Sequence, residues 1–358
     1  MATDSVLEAQ IFKNRDDVQA WQVYADHLQS KGDLRGELIA LSLKDPAAAE
    51  TRIEAVKAQL LGEELAGLSE QVYDLEWKNG HLDKACLKGT YDGDASLDDL
   101  TKKLLARPCA RFIRTLQFGL ASYESDNDWS ETFAAVAASP QATTLENLLF
   151  NDYESEDCEI SWTAFGDFSP FWKKVPNLRT LHIRAGEGGE LGDVVLPELR
   201  SFIRESGGLA SAEIERISNA TWPKLESLEI WIGQDNYGGD STPETFATIL
   251  AGKGLATLKH LGLVNGEYPN DLIEPIAKSP LLKQLKSLDL SKSTFNDEGI
   301  DALVKHAAAF KHLARLDLSE NFLSDAAIAR AKQVLPNVVA DGQRGPPDDE
   351  YRYSVLGE

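Results

Sequence analysis

One methionine, three cysteines and six histidines in 358 residues leave this chain poor in the side chains that most often carry redox and metal chemistry. Cys86, Cys109 and Cys158 are odd in number and lack zinc-ligand spacing, which excludes a disulfide framework and reads as reduced thiols in a cytosolic protein. No apolar run approaches the roughly 20 residues that span a bilayer. Met1-Ala2-Thr3-Asp4-Ser5 lacks a basic stretch leading into an apolar run, so no secretory leader is expected and the cytoplasm is the expected location. Basic residues are few beside acidic ones, 36 against 58, for a net charge of −22. Such an excess repels nucleic acid and anionic lipid, so neither is expected as a partner. A solvated acidic surface is the first explanation of the charge and a basic partner the second. No Gly-x-Gly-x-x-Gly follows a strand pattern and there is no phosphate loop; Gly186, Gly188 and Gly189, and Gly238 and Gly239, read as loop glycines.

What is present is a leucine ladder. It is plainest in Leu285-x-x-Leu288-x-Leu290 and Leu313-x-x-Leu316-x-Leu318-x-x-Asn321. Followed backwards, it starts at Ile113, Leu145, Leu178, Leu199, Leu225, Leu258, Leu285 and Leu313, with starts roughly 21 to 33 residues apart. The fourth and sixth positions of each unit share one face of a strand. Helical punctuation follows, as in Asn296 to Leu303 with Val304 and Ala307, and again after Leu323, where Ser324 is an expected N-cap. Strand and helix in alternation predict an α/β solenoid, right-handed, with a parallel sheet on the concave face and helices on the convex face. One unit departs: Leu199-Arg200-Ser201-Phe202-Ile203-Arg204 puts Arg204 where a buried apolar residue belongs. A buried unpaired guanidinium is very costly, so either Arg204 pairs, with Glu205 or a neighbour, or the strand ends at Phe202. Early termination is the expectation, since this repeat is the shortest.

Residues 1–110 lie outside the ladder. Val18 to Leu28 predicts a helix with Val18, Trp21, Tyr24, Ala25 and Leu28 on one stripe, and Leu34 to Leu43 a second beyond the Lys31-Gly32-Asp33 turn. Thr51 to Leu68 predicts a third. Tyr73 to Trp77 and Ala85 to Leu87 read as short strands across an Asn79-Gly80 turn, and Leu97 to Leu105 as a helix. The expected divisions are a helical module at 1–45, a capping helix, hairpin and helix at 46–110, the solenoid at 111–340 and a tail at 341–358; the first two would cover the open end of the repeat stack.

The block Leu313-x-x-Leu316-x-Leu318-x-x-Asn321-x-Leu323-Ser324-Asp325 resembles the ribonuclease-inhibitor-like class of leucine-rich repeats, in which the Asn caps the turn by bonding backbone groups inside the stack. Only Asn321 matches cleanly, so the other turns must be satisfied differently. Trp21-x-x-Tyr24-Ala25-Asp26-x-Leu28 with Gly32-Asp33-x-Arg35-Gly36-Glu37-Leu38-Ile39 resembles the bacterial repeat-companion domain, similarly found ahead of repeat arrays. Glu156 to Trp162, Glu205 to Leu209, Ile230 to Gly233, Tyr237 to Asp240 and Tyr351-Arg352-Tyr353 together resemble a family of bacterial leucine-rich-repeat proteins of unassigned role, encoded in some genomes near radical-SAM enzymes and a predicted hydrolase. That resemblance implies the fold, a cytosolic setting and an accessory role presenting substrate to a modifying enzyme. Ser354-Val355-Leu356 departs from the family, which tends to a Val-Ala-Val run there.

Residues between the inward leucines would form rows on the concave face. One row reads Leu149, His182, Ile203, Glu229, Gly262, Asp289, Asp317; the next Asn151, Arg184, Glu205, Trp231, Val264, Ser291, Ser319; a third Asn147, Thr180, Ser201, Ser227, His260, Ser287, Arg315. His182, Arg184, Glu205, Glu229, Trp231, Asp289 and Asp317 are the candidate partner-binding residues, an aromatic among mixed charges being the composition of an interface anchor. Trp231 reads equally as an anchor and as a ring packed on a neighbouring loop. His182 and His260 are three strands apart, roughly 14 Å, too far to share a metal without other ligands. Ser161, Ser201 and Ser291 have no histidine in register to activate them. No catalytic residue, metal or cofactor is therefore assigned.

Glu124, Asp126 and Asp128 follow the first ladder strand, and Asp152, Glu154, Glu156, Asp157 and Glu159 the second. Stacked loops would gather them on one rim. A solvated rim is the leading reading, then a basic partner segment, then a metal site for a metal-dependent enzyme, since neither loop follows the spaced calcium-loop pattern. Tyr123, Trp129, Tyr153, Trp162 and Trp172 are interleaved there; Trp162 and Trp172 are expected to pack an insertion. The function these observations predict is a non-catalytic scaffold for a protein or peptide, basic if the rim steers it.

Overall fold

Every rung of the leucine ladder becomes a strand in the computed structural model, which describes residues 4–90, 95–123, 127–186, 188–345 and 351–357. The chain divides into two compact units, Met1–Ser125 with Glu131–Asp152, and Asp126–Ser130 with Tyr153–Glu358.

In the first unit, α1 (Asp4–Lys13) precedes α2 (Val18–Ser30) and α3 (Leu34–Lys44). Asp17 caps α2 by accepting from the Gln19 and Ala20 amides, and Asp33 caps α3 through the Arg35 amide. The Trp21, Tyr24, Ala25 and Leu28 stripe is buried and packs with Leu7 and Ile11 of α1, a helix the sequence reading did not place. A Cβ at Gly36 would lie 2.6 Å from the Ala25 carbonyl oxygen, so glycine is what lets α3 approach α2. The expected third helix is broken. It runs as α4 (Glu50–Leu61), stops at Gly62 with φ of 80°, and resumes as the short α5 (Glu63–Ala66). The hairpin of β1 (Val72–Lys78) and β2 (His81–Leu87) turns through Asn79 and Gly80, both at positive φ, the backbone a two-residue I′ turn needs. After α6 (Leu97–Leu105), capped by Ser96, come β3 (Thr115–Phe118), α7 (Ser130–Ala138) and β4 (Asn147–Phe150). β2, β3 and β4 pair in parallel, so the hairpin continues the ladder's sheet.

In the second unit, β6 (Thr180–Arg184), β8 (Ser201–Glu205), β9 (Ser227–Gly233), β10 (His260–Gly266), β11 (Ser287–Asp289), β12 (Arg315–Asp317) and β13 (Val338–Val339) pair in parallel and in chain order. Between them lie α8 (Ser211–Asn219), α9 (Ala247–Leu250), α10 (Pro269–Lys278), α11 (Asp297–Lys305), α12 (Ala307–Phe310) and α13 (Asp325–Val334). Among the described residues no helix separates β6 from β8; instead β7 (Gly189–Glu190) pairs with β5 (Gly166–Asp167). The inward residues, among them Leu181, Phe202, Leu228, Leu261, Leu288 and Leu316, are fully enclosed, each burial stabilising by about 1.5–3 kcal/mol. Ser324 caps α13 through the Ala327 amide at 3.1 Å. No described helix is long and apolar enough to cross a membrane.

The turns after the strands are not all closed by the same device. Asn321 donates to the carbonyls of Leu290, Leu318 and Ser319 and accepts from the Ser293 and Phe295 amides. One rung earlier Ser293 holds that place, accepting from the Gly266 amide at 2.9 Å and donating to the Ser291 carbonyl. Two rungs before that Gly233 makes the turn with φ of 75°.

Arg204 corrects the expectation of an early strand end. β8 runs through it to Glu205, and Arg204 points inward beside Ile183 and Ile230 with no exposure. Its guanidinium bonds Glu213 of α8 at 2.6 Å, the carbonyls of Ala185 at 2.7 Å and Gly186 at 3.0 Å, and the Glu205 carbonyl, and it lies over the Phe165 ring. Full pairing is what makes an arginine tolerable where a leucine was expected.

Candidate functional site

Parallel register produces the rows read from the sequence. His182 lies opposite Ile203, Ile203 opposite Glu229, Glu229 opposite Gly262, and Gly262 and Asp289 lead on to Asp317. Arg184 faces Glu205, and Trp231 faces Val264. Leu149, Asn147 and Asn151 of the same rows belong to the first unit. The residues between inward leucines are mostly half-exposed, but Gly262 and Val264 on β10, Ser291 after β11 and Asp317 on β12 are buried.

Three of the predicted residues form one network. Glu205 accepts from Arg184 Nη1 at 2.7 Å and lies 2.6 Å from His182 Nε2, with the three side chains only 12–14% exposed. The Arg184 guanidinium also lies 5.2 Å from the centre of the Tyr153 ring, whose hydroxyl donates to the Arg184 carbonyl. Burial pushes the Glu205 carboxyl up, but the His182 and Arg184 bonds and charges outweigh it and hold the group below its ordinary value. Burial pushes the Tyr153 hydroxyl up to about 12.

A second group lies across β9 to β12. Trp231 Nε1 donates to Glu229 at 2.7 Å, and the Lys292 ammonium sits 5.7 Å from the indole centre while paired with Glu320. Trp231 is thus half-buried against its neighbours rather than standing free. Asp317 accepts from Arg315 at 2.5 Å and from the Ser319 amide; burial pushes its carboxyl up, and those bonds hold it below the ordinary value. Asp289 accepts from the Ser291 amide at 2.8 Å, and burial, with Asp317 adding to it, raises its carboxyl.

The sequence reading missed one pair here. His260 Nδ1 lies 2.9 Å from Ser287 Oγ, and His260 Nε2 lies 3.9 Å from Glu229. These are neighbours in the third row, in direct register across β10 and β11. A serine, a histidine and a carboxylate in line have the composition of a nucleophilic triad. The setting does not supply the rest. The His–Glu separation is beyond a hydrogen bond. The Ser287 amide bonds the Lys259 carbonyl inside the ladder, so it is not free to stabilise an oxyanion.

This fold is similar to that of a Bacteroides fragilis protein. The two share 27% sequence identity, over 75% of this chain and 76% of that one, with a TM-score of 0.66. An internalin from Listeria monocytogenes aligns over 77% of this chain and 92% of its own at 12% identity, but with a TM-score of 0.25, which does not establish a shared fold. No family model and no curated protein matches the chain.

Glu124 and Asp126 lie outside the described residues. Asp128, Glu154, Glu156 and Asp157 are exposed, whereas Asp152 is half-buried and accepts from the Tyr73 hydroxyl. Among the described residues no group of three His, Cys, Asp or Glu side chains is placed to hold a metal ion. Trp129 and Tyr153 are buried and stacked on each other, and Trp172 is buried with Nε1 bonded to the Leu191 carbonyl. Trp162 is the correction: it does not pack the insertion but is 66% exposed, at the end of the short turn Ile160–Trp162. Its sequence setting, a tryptophan in an aromatic-rich stretch with Phe165, Phe168, Phe171 and Trp172, does not distinguish the exposed ring from the packed ones.

Proposed function

We propose that this chain is a non-catalytic binding scaffold, a capped right-handed solenoid of ribonuclease-inhibitor-like leucine-rich repeats whose strand face takes a protein or peptide in the cytoplasm. The observation that supports this most is the register itself. It sets the polar outward side chains of consecutive strands in straight rows, with Glu229, Trp231, Asp289 and Asp317 on one continuous face. The exposed carboxylates at Glu154, Glu156 and Asp157 would steer a basic segment towards it. Presenting a substrate to a neighbouring modifying enzyme is one form such binding takes. The test is a Trp231→Ala, Glu229→Ala double variant compared with the parent by quantitative pull-down from native lysate. Loss of a defined partner is expected, and an unchanged partner set removes the strand face from consideration.

A further inference from the structure

The 351–357 segment lies on the second unit in the way a bound peptide lies on a receptor. Exposure alternates along it: Tyr353 and Val355 face solvent, while Ser354, Leu356 and Gly357 are buried. The segment belongs to no strand, yet its backbone is read group by group. The Val355 amide donates to the Lys292 carbonyl at 3.0 Å. Asn265 uses both ends of its side-chain amide on one residue, accepting from the Leu356 amide at 2.8 Å and donating to the Leu356 carbonyl at 2.6 Å. Gln234 donates to the Ser354 hydroxyl at 3.0 Å. At Gly357 a Cβ would lie 2.8 Å from the Tyr237 ring, and a Cβ on Gly207 would strike the Gly357 carbonyl. Gly207, Gln234 and Lys292 follow β8, β9 and β11, and Asn265 is the last residue but one of β10, so the segment crosses four successive rungs at the ends of their strands.

Asn265 is the telling residue. It is fully buried and holds φ of 58°. Lys292 and Glu320 take the same left-handed turn one and two rungs later, and they pair with each other. Asn265 instead directs its amide wholly at the backbone of the segment. Without that backbone a buried amide would lose both partners, at about 1–3 kcal/mol for each unmet group. Within 351–357 only Leu356 buries an apolar side chain, so this hold depends on a few polar contacts and on the tether rather than on a large apolar area.

We propose that residues 351–357 are a cis-bound ligand of a peptide-reading groove along these strand ends, and that the groove exchanges them for an extended partner segment of the pattern Ser-x-Leu-Gly. The pattern follows from the contacts. A small hydroxyl meets Gln234, the next side chain points to solvent, an aliphatic residue is enclosed with its backbone held by Asn265, and the last place favours glycine because a Cβ there would crowd the Tyr237 and Gln234 side chains at 2.8 and 3.0 Å. This site is distinct from the strand face proposed above and does not depend on it.

The test uses the full chain with a protease site replacing residues 346–350. After cleavage, a fluorescent peptide Tyr-Arg-Tyr-Ser-Val-Leu-Gly is titrated in and its anisotropy followed. Saturable exchange into the cleaved protein is expected, with the uncleaved protein at least about tenfold weaker because the tethered segment competes at high effective concentration. A peptide with Gly357→Val should bind at least about tenfold more weakly, and one with Val355→Lys as well as the parent. Asn265→Asp in the protein should weaken the parent peptide at least as much, since a carboxylate would face the Leu356 carbonyl. The proposal is overturned if cleavage unfolds the protein, which would make the segment part of its core. It is equally overturned if the labelled peptide does not exchange, if the Gly357→Val peptide binds as well as the parent, or if the segment instead swaps between copies in a concentration-dependent dimer.

Discussion

Removing Glu213 should unfold the second unit far more readily than removing any exposed carboxylate, because it strands a charge that has no route to water. Arg204 is fully enclosed, and Glu213, in the first turn of α8, is the carboxylate that pairs with it. Glu213→Ala leaves the guanidinium with carbonyls alone, at a cost of about 3–5 kcal/mol. Arg204→Met removes the charge but takes donors from the Ala185, Gly186 and Glu205 carbonyls, about 1 kcal/mol each and so about 3 kcal/mol together. The double variant then carries no buried charge and the same three carbonyls, so it should also cost about 3 kcal/mol. The three variants thus form a cycle with a coupling of about 3–5 kcal/mol. Urea unfolding followed by tryptophan fluorescence and far-UV circular dichroism measures all three. The reasoning is refuted if the double variant loses the sum of the single losses, or if Glu213→Ala costs less than about 1 kcal/mol.

Three further outcomes are expected. Asn321→Ala leaves the buried Ser293 and Phe295 amides without their acceptor and should cost about 2–5 kcal/mol in the same urea experiment. Glu205 has a folded value held below its ordinary 4.5, so its contribution is complete above that value and is lost as pH falls through the lower folded value. Urea midpoints between pH 5 and pH 3 should therefore fall more steeply for the parent than for Glu205→Gln, which is already weakened at pH 7. Ser287→Ala should leave any hydrolysis of a p-nitrophenyl ester unchanged within about twofold, since the Ser287 amide is bonded to the Lys259 carbonyl and His260 lies 3.9 Å from Glu229; a large drop would make the strand face an active site.

The ladder was legible because its signal is periodic and redundant. Each rung has several buried leucine or isoleucine positions, and a one-residue slip would expose all of them, so the register of His182, Glu229 and Asp289 follows from where the leucines lie. The cap at Ser324 and the Asn79-Gly80 turn were legible for a local reason, since each acts within a few residues of itself; the caps at Asp17, Asp33 and Ser96 are equally local but were not named. Gly62 was passed over because a single glycine inside a helical pattern can be tolerated, and only its positive φ shows that it ends α4.

What the sequence concealed depends on partners distant in the chain. Arg204 looked untenable because Glu213 sits on the next helix and three carbonyls close around it, none of which is visible in a strand pattern. The Ser287–His260 pair was passed over although both stand in the third row, because the serines weighed for activation were Ser161, Ser201 and Ser291. The candidate face shows the same limit. The pattern put His182, Arg184 and Glu205 on one surface, and they are there, but their proximity makes them partners of one another. A partner protein gains little from groups already so paired, since binding would first have to break the bonds to Glu205. The residues better placed to anchor one are those whose neighbours leave an open side: Trp231, with its indole N–H fixed by Glu229, and the weakly held Asp289 two strands away. A binding face built on this fold is therefore expected to centre on β9 to β11 rather than on the charged trio that the composition made most conspicuous.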